Sequence, residues 1–255
     1  VTRQDSNTEL AGTAPVVVVI PTYNERENIE QTVRDVLALG DRYSLLIVDD
    51  NSPDGTADIV RGLQREYGDR LDLLSRSSKD GIGRAYIAGF QRILEHDPEQ
   101  APLIAQMDAD HSHLPADLAR MVAEAEEADL VLASRYVSGG ETVGWPWHRK
   151  LISRMGGIYS GLILGVPIRD LTGGFKVWRR HVLERIELSS IHSDGYSFQI
   201  ETTYRAIRQG VRYTQVPITF VDRVAGKSKL SRRVVIEAIF IPWNLRLRHM
   251  FGRAW

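Results

Sequence analysis

Asp108 and Asp110 stand one residue apart where a short apolar run, Leu103–Met107, gives out. At the two-residue period of extended chain, both carboxylates face one side. Carboxylates so close repel one another and resist ionisation unless a cation lies between them. Oxygen ligands in a chain with no cysteine suit Mg2+ or Mn2+, and Mg2+ usually completes its shell with water and substrate phosphates. The triplet alone leaves another reading open, a pair of acids capping the helix that begins near Pro115. His111 and His113 follow directly, yet nothing else in the chain completes a zinc set with them.

Other apolar runs end in equally reactive company. Pro21-Thr22-Tyr23-Asn24-Glu25 follows the run Val16–Pro21, and Asp49-Asp50-Asn51-Ser52-Pro53-Asp54 follows Leu45–Val48. Asp54 or Ser52 suffices to cap a helix starting at Thr56. That leaves one of the paired acids free to accept hydrogen bonds from a ring N–H or a ribose hydroxyl, while Tyr23 can stack on a base. Arg135 follows the run Leu130–Ala133, and Arg149 adds a cation in a Gly/Trp/Pro-rich stretch beyond it. Arg223-Val-Ala-Gly226-Lys227-Ser228-Lys229 is a basic loop. Such a loop is either a solvated turn or a clamp for a pyrophosphate.

These residues need a frame. Short apolar runs alternate with helical patterns at Glu25–Leu39, Thr56–Tyr67, Arg84–Leu94 and Pro115–Glu126, with a further strand at Leu71–Leu74. Such alternation requires right-handed crossovers and a mostly parallel sheet with helices on both faces. In such α/β sheets ligands bind beyond the carboxyl ends of the strands, which is where the acids, the aromatic and the cation collect. After Arg135 the rhythm changes. A helix is expected at about Lys150–Leu164, a glycine turn at Thr172-Gly173-Gly174, a helix near Phe198–Arg208 and a strand near Tyr213–Ile218. A last amphipathic helix, Ser231–Phe251, is expected to break or kink at Pro242, which has no N–H to donate.

Composition agrees. The chain has 255 residues, 43% hydrophobic and 25% charged, enough for one large domain without disulfides or a structural metal. The polar N-terminus does not read as a signal peptide, and no uncharged run approaches the roughly 18–20 residues of a membrane span. Residues 1–14 read as a flexible lead-in. The net charge of −1 hides an asymmetry: residues 201–255 carry 11 Lys/Arg against 3 Asp/Glu, and residues 1–200 carry 21 against 30. A basic end on an acidic body suits an anionic partner. It does not suit nucleic acid, which asks for a broad basic face.

Five separated motifs occur in order: Ile20–Asn28, Val48–Thr56, Met107–Asp110, Ala133–Tyr136 and Gly226–Lys229. Together they resemble the family 2 glycosyltransferases of GT-A fold, and more closely the dolichyl-phosphate (polyprenyl monophosphate) mannose synthases. Trp145–Ser153 is similar to the segment those enzymes carry before their acceptor-side helix. The likeness covers residues 15–230 as the glycosyltransferase domain, leaving 231–255 as a membrane-proximal helix. It implies that Pro21, Tyr23, Glu25, Val48 and Asp50 hold the guanosine, and that Asp108, Ala109 and Asp110 hold the metal and diphosphate. It further implies that Arg135 and Arg149 face the mannose-phosphate and the acceptor phosphate, and that Arg223 and Lys229 close on the donor diphosphate. Ser112 stands where some members carry a Gln, as in the eukaryotic branch. A hydroxyl is the poorer ligand, so water stands as the alternative in that position.

The activity so implied is mannose transfer from GDP-mannose to a polyprenyl monophosphate, with inversion, aided by Mg2+ or Mn2+. A phosphate acceptor is already anionic and needs no general base, so the demands fall on alignment and on the leaving group. A lipid acceptor places the protein peripherally on the cytoplasmic face of a membrane, held by the basic apolar helix or by a membrane-protein anchor. Glucosyl transfer to the same lipid class would use the same motifs. A non-catalytic nucleotide-binding membrane module would bind donor without turnover. A sugar nucleotidyltransferase would need a Gly-rich loop after the first strand, and Pro21–Glu25 has none.

Overall fold

The computed structural model describes residues 14–222 and 232–251, without the side chains of 232–238. All but the last residue of the expected lead-in, and the whole basic loop with Arg223 and Lys229, lie outside the described residues. The strands are β1 (Val16–Thr22), β2 (Tyr43–Asp49), β3 (Leu71–Ser75), β4 (Leu103–Gln106), β5 (Leu130–Ser134), β6 (Glu141–Val143), β7 (Lys176–Arg179), β8 (Tyr213–Pro217) and β9 (Thr219–Val221). The helices are α1 (Ile29–Leu37), α2 (Thr56–Tyr67), α3 (Ile82–Leu94), α4 (Pro115–Glu124), α5 (Trp147–Leu164), α6 (Arg180–Arg185), α7 (Gly195–Arg208) and α8 (Arg232–Met250).

The main sheet runs β3-β2-β1-β4-β7-β5-β8, and β6 pairs with β9 in a small second sheet. The run Val16–Ile20 is apolar without a break because both faces of its strand are covered. Val16, Val18 and Ile20 point to a core closed by α1, α2 and α4, with Val33, Val60 and Met121 among its members. Val19 points the other way, to a core closed by α3 and α7 around Tyr86, Phe90 and Phe198. Phe90 is wholly buried, and burial of such a side chain stabilises the fold by about 1.5–3 kcal/mol.

The structure adds one strand to the main sheet and alters the course expected of two helices. β7 was not foreseen: it lies antiparallel between β4 and β5, within a sheet that is mostly parallel as expected. Its sequence, Lys-Val-Trp-Arg, hides it, because a lysine at a core position breaks the apolar signature of a central strand. The last helix continues through Pro242 without a break. Tyr159 of α5 donates its hydroxyl to Ile239 O at 2.9 Å and accepts from Trp243 Nε1 at 3.0 Å. That cross-brace ties α8 to α5 on both sides of the proline.

The helix expected from Glu25 starts at Ile29 instead. Glu25–Asn28 form a turn because their backbone is bound elsewhere: Glu25 N–H donates to Thr56 Oγ1 at 3.0 Å and Arg26 N–H to Asp54 Oδ2 at 3.1 Å. Asn24, Asn51 and His111 have left-handed φ values of 59°, 57° and 60°. They stand just past the ends of β1, β2 and β4. Non-glycine residues rarely adopt that conformation, and here three of them turn the chain along one edge of the sheet.

Candidate active site

The edge so marked bounds a cleft open to solvent. Pro21, Thr22, Tyr23 and Glu25 form one wall, Asp50 another, and Asp108, Ala109 and Asp110 the floor, with Lys79, Gly81 and Ile82 closing the side. The carboxyl ends of β1, β2 and β4 thus meet. They do so because β1 pairs in parallel with both neighbours, Thr22 against Asp49 and Val19 against Gln106. Val48 is the exception among the expected nucleoside residues. Its side chain is wholly buried in the core, so only its backbone can face a ligand.

The two acids after β2 have separate employments. Asp49 is internal: it accepts from Thr22 Oγ1 at 2.9 Å, Ser52 N at 2.9 Å and Ser52 Oγ at 2.6 Å, fixing one strand exit against the other. Asp54 binds Thr56 N–H and Oγ1–H at the start of α2. Asp50 is therefore the acid that lines the cleft. Arg76 Nη1 donates to its Oδ1 at 2.5 Å. Burial raises the Asp50 pKa more than Arg76 lowers it, leaving it above the ordinary carboxyl value.

Asp110 is buried and Asp108 half-buried. Asp110 Oδ1 accepts Ser112 N–H at 3.1 Å and Ser112 Oγ–H at 2.5 Å. Ser112 therefore orients the carboxylate. Asp108 N–H donates to His113 Nδ1 at 3.1 Å, and that bond fixes the tautomer, with the proton on Nε2. His113 itself is packed on Phe175, ring centroids 4.5 Å apart, so it is a wedge under the loop. Among the described residues no group of three or more His, Cys, Asp or Glu is poised to hold a metal by itself. Two carboxylates, one aligned by a hydroxyl, fit a hard divalent ion whose other ligands come from water and a phosphate substrate. They do not fit a closed zinc site.

Arg135, expected to face the sugar-phosphate and acceptor phosphate, is largely buried. Its Nε and Nη2 reach Asp170 Oδ2 and Oδ1 at 2.7 and 2.6 Å, and Nη2 also donates to Thr172 Oγ1 at 3.0 Å. The side chain is 7% exposed. Burial pushes the Asp170 carboxyl up, but Arg135 outweighs it and holds the pKa below the ordinary value. Arg149 lies at the start of α5 over the Trp145 ring at 4.0 Å, paired with Asp222 at 2.9 Å. Both cations are thus already matched by carboxylates, and neither is among the residues lining the cleft.

A strand-edge cleft with an acid pair at its floor is common to several enzyme classes. The glycosyl transferase family 2 model matches residues 17–187. The chain belongs to glycosyltransferase family 2.

Among relatives of this family 2 glycosyltransferase, a polyprenol monophosphomannose synthase of Mycolicibacterium smegmatis is 43% identical over 92% of this chain and 89% of its own. An undecaprenyl-phosphate mannosyltransferase of Micrococcus luteus is 42% identical over 91% of this chain and 95% of its own. The GT-A fold is shared with glucosyl-3-phosphoglycerate synthase from Mycobacterium tuberculosis. Its complex with Mn2+, UDP and glucosyl-3-phosphoglycerate superimposes with a TM-score of 0.67 at 17% identity, covering 95% of this chain and 83% of that one. Its complex with Mg2+ and UDP gives 0.65 at 17% identity, covering 96% and 84%.

Sequence reasoning missed several residues of this glycosyltransferase's site. Lys79 is the one cation among the described residues lining the cleft, and its Nζ lies 3.7 Å from the Tyr23 ring centroid. Lys79-Asp80-Gly81 ahead of a helix was a legible signal. Gly81 has a φ of +104°, and a Cβ there would run into the Asp194 carboxylate, which itself accepts Gly83 N–H at 2.7 Å. Asp170 and Gln199, which do not line the cleft but bind Arg135 and Lys176, carried no local signal, since their partners are distant in sequence.

The described residues contain no helix long and apolar enough to cross a membrane. They do carry an apolar outer face. Trp147, Leu151, Met155, Ile158 and Leu162 line one side of α5, with Trp147 76% and Leu162 78% exposed. Phe240, Trp243, Leu247 and Met250 stand exposed on α8, whose Leu245 faces inward. Exposed apolar area on this scale marks a surface that meets an apolar partner.

Proposed function

We propose that this glycosyltransferase moves mannose from GDP-mannose to a polyprenyl monophosphate with inversion, giving polyprenyl β-mannosyl phosphate and GDP. The observation that carries the reading is the convergence of Tyr23, Asp50 and the Asp108/Asp110 pair on one cleft. Such a cleft offers a ring to a base, a buried acceptor to its N–H groups and a metal-binding floor to a diphosphate. The two relatives named for lipid-phosphate mannosyl transfer support the choice of sugar and acceptor.

In this reading Pro21, Tyr23, Glu25, Asp50 and the Val48 backbone hold the nucleoside, and Asp108, Ala109 and Asp110 the diphosphate end. A bound Mg2+ or Mn2+ would supply Lewis-acid stabilisation to the departing diphosphate. Arg223 and Lys229, outside the described residues, add cations to the same group. Arg149 exchanges its Asp222 partner for the acceptor phosphate and aligns it behind the anomeric carbon. Arg135, anchored on Asp170, turns its remaining N–H groups to the sugar-phosphate side. The acceptor's anionic oxygen attacks C1 as the diphosphate leaves from the opposite face. The lipid tail runs along the apolar side of α5, and that side with α8 rests on the cytoplasmic face of the bilayer.

The test is direct. Purified protein, labelled GDP-mannose, a short polyprenyl phosphate and Mg2+ or Mn2+ are expected to give lipid-linked mannose with the β configuration. No lipid-linked product, or equal transfer from UDP-glucose in competition, would overturn the reading.

A further inference from the structure

A chain of side-chain hydrogen bonds runs beneath the cleft, and its polarity is fixed from one end. Trp178 Nε1–H can only donate, and it donates to Gln106 Oε1 at 2.7 Å. Gln106 must therefore present Nε2 on its other side, where it donates to Gln199 Oε1 at 3.3 Å. Lys176 Nζ donates to the same Oε1 at 2.8 Å and to Gln199 O at 3.0 Å. An amide's oxygen and nitrogen are ordinarily assigned from their surroundings. Here the surroundings leave a single arrangement, with Gln199 Oε1 toward Lys176 and Nε2 on the side of Gly174.

Gln199 is 4% exposed, yet among the described residues its Nε2 has no hydrogen-bond partner. Its position follows from Gly174. A Cβ built there would stand 3.4 Å from Gln199 Nε2 and 3.9 Å from Asp108 Oδ1. The amide donor and the carboxylate oxygen thus flank one notch, which Gly174 leaves open. Lys176, its pKa driven down by burial with only partial opposition from Asp170, sits entirely inside the protein. Its placement has one evident product, the locked orientation of Gln199.

We infer that Gln199 Nε2 donates a hydrogen bond to a hydroxyl of the transferred sugar, held in the notch between Gln199 and Asp108. A neutral amide is a weak match for a phosphate, which cations bind better. It is a good match for a hydroxyl, which accepts from the amide while donating to a carboxylate. Gln199 is then a specificity-determining residue of the donor site, and Lys176, Gln106 and Trp178 are positioning residues acting through it. The assignment rests on the nucleotide-sugar reading of the cleft.

The experiment compares GDP and GDP-mannose binding, and transfer, in the wild type, Gln199→Leu and Gly174→Ala. Gly174→Ala fills the notch at ordinary contact distance and leaves the hydrogen-bond chain intact, so it guards against a merely misfolded Gln199 variant. Both variants are expected to bind GDP as the wild type does and to lose about 10- to 100-fold in kcat/KM for GDP-mannose. One monodeoxy form of the donor is expected to lose the same factor in the wild type and nothing further in Gln199→Leu. Unchanged kcat/KM in both variants, or additive losses with every deoxy sugar, overturns the assignment. A wild type that binds GDP but not GDP-mannose overturns the donor reading and the assignment together.

Discussion

Asp170 grips Arg135 at both ends of its carboxylate, with donor–acceptor distances of 2.7 and 2.6 Å, inside a cage of Tyr136, Trp145 and Phe220. The pair joins the exit of β5 to the glycine turn before β7. Removing one member strands a buried charge, so Asp170→Asn is expected to cost about 3–5 kcal/mol in urea unfolding. Arg135→Met combined with Asp170→Leu should recover most of that stability. If Arg135 also contacts substrate, the double variant will be folded and inactive.

The same pair sets an acid limit. The folded-state pKa of Asp170 lies below its ordinary 3.8, so its stabilisation is complete above that value and is lost as the pH falls through the folded-state value. Unfolding followed by tryptophan fluorescence on acid titration should show this loss in the wild type and not in the double variant.

Asp50 carries the opposite sign. Its pKa is raised above 3.8, by burial against the weaker opposition of Arg76. The folded state therefore favours the protonated form, and the stability this adds is lost as the pH rises through the raised value. Nucleotide binding should show the reverse trend, weakening as the pH falls into that range while stability does not. Titration calorimetry with GDP over a pH series checks it, and Asp50→Asn should flatten the profile.

Ser112 and Asp110 separate orientation from coordination. Asp110→Asn is expected to reduce metal-dependent transfer by at least about 100-fold. Ser112→Ala removes one hydrogen bond to a carboxylate and should cost about tenfold. A loss for Ser112→Ala as large as that for Asp110→Asn would mean that the hydroxyl binds the ion directly.

The outer face of α5 gives a prediction away from the cleft. Trp147→Ser with Leu162→Ser should weaken flotation with anionic vesicles and transfer to a long-chain lipid acceptor. GDP binding should stay unchanged, because both side chains are exposed and neither lines the cleft. Undiminished flotation would put membrane contact elsewhere.

Much of this protein is readable from residue order because its signals are local. Val16–Ile20 is β-branched without interruption since both faces of β1 are covered, and acids after β1, β2 and β4 collect on one edge because parallel strands point the same way. Family membership is local too, carried by short motifs in order. The employment of each charge is another matter, for it depends on partners far along the chain. Asp49 and Asp50 are neighbours of one type, yet one ties strand exits together and the other lines the cleft. Nothing near Arg135 in sequence shows that Asp170, 35 residues on, lies against it. Lys176 has no neighbour in sequence that marks it as buried, and the antiparallel insertion of β7 between β4 and β5 places it inside the protein. Sequence sets which groups exist and which strand each one follows. Tertiary packing decides which of them are already neutralised, because burial charges heavily for any polar group left without a partner.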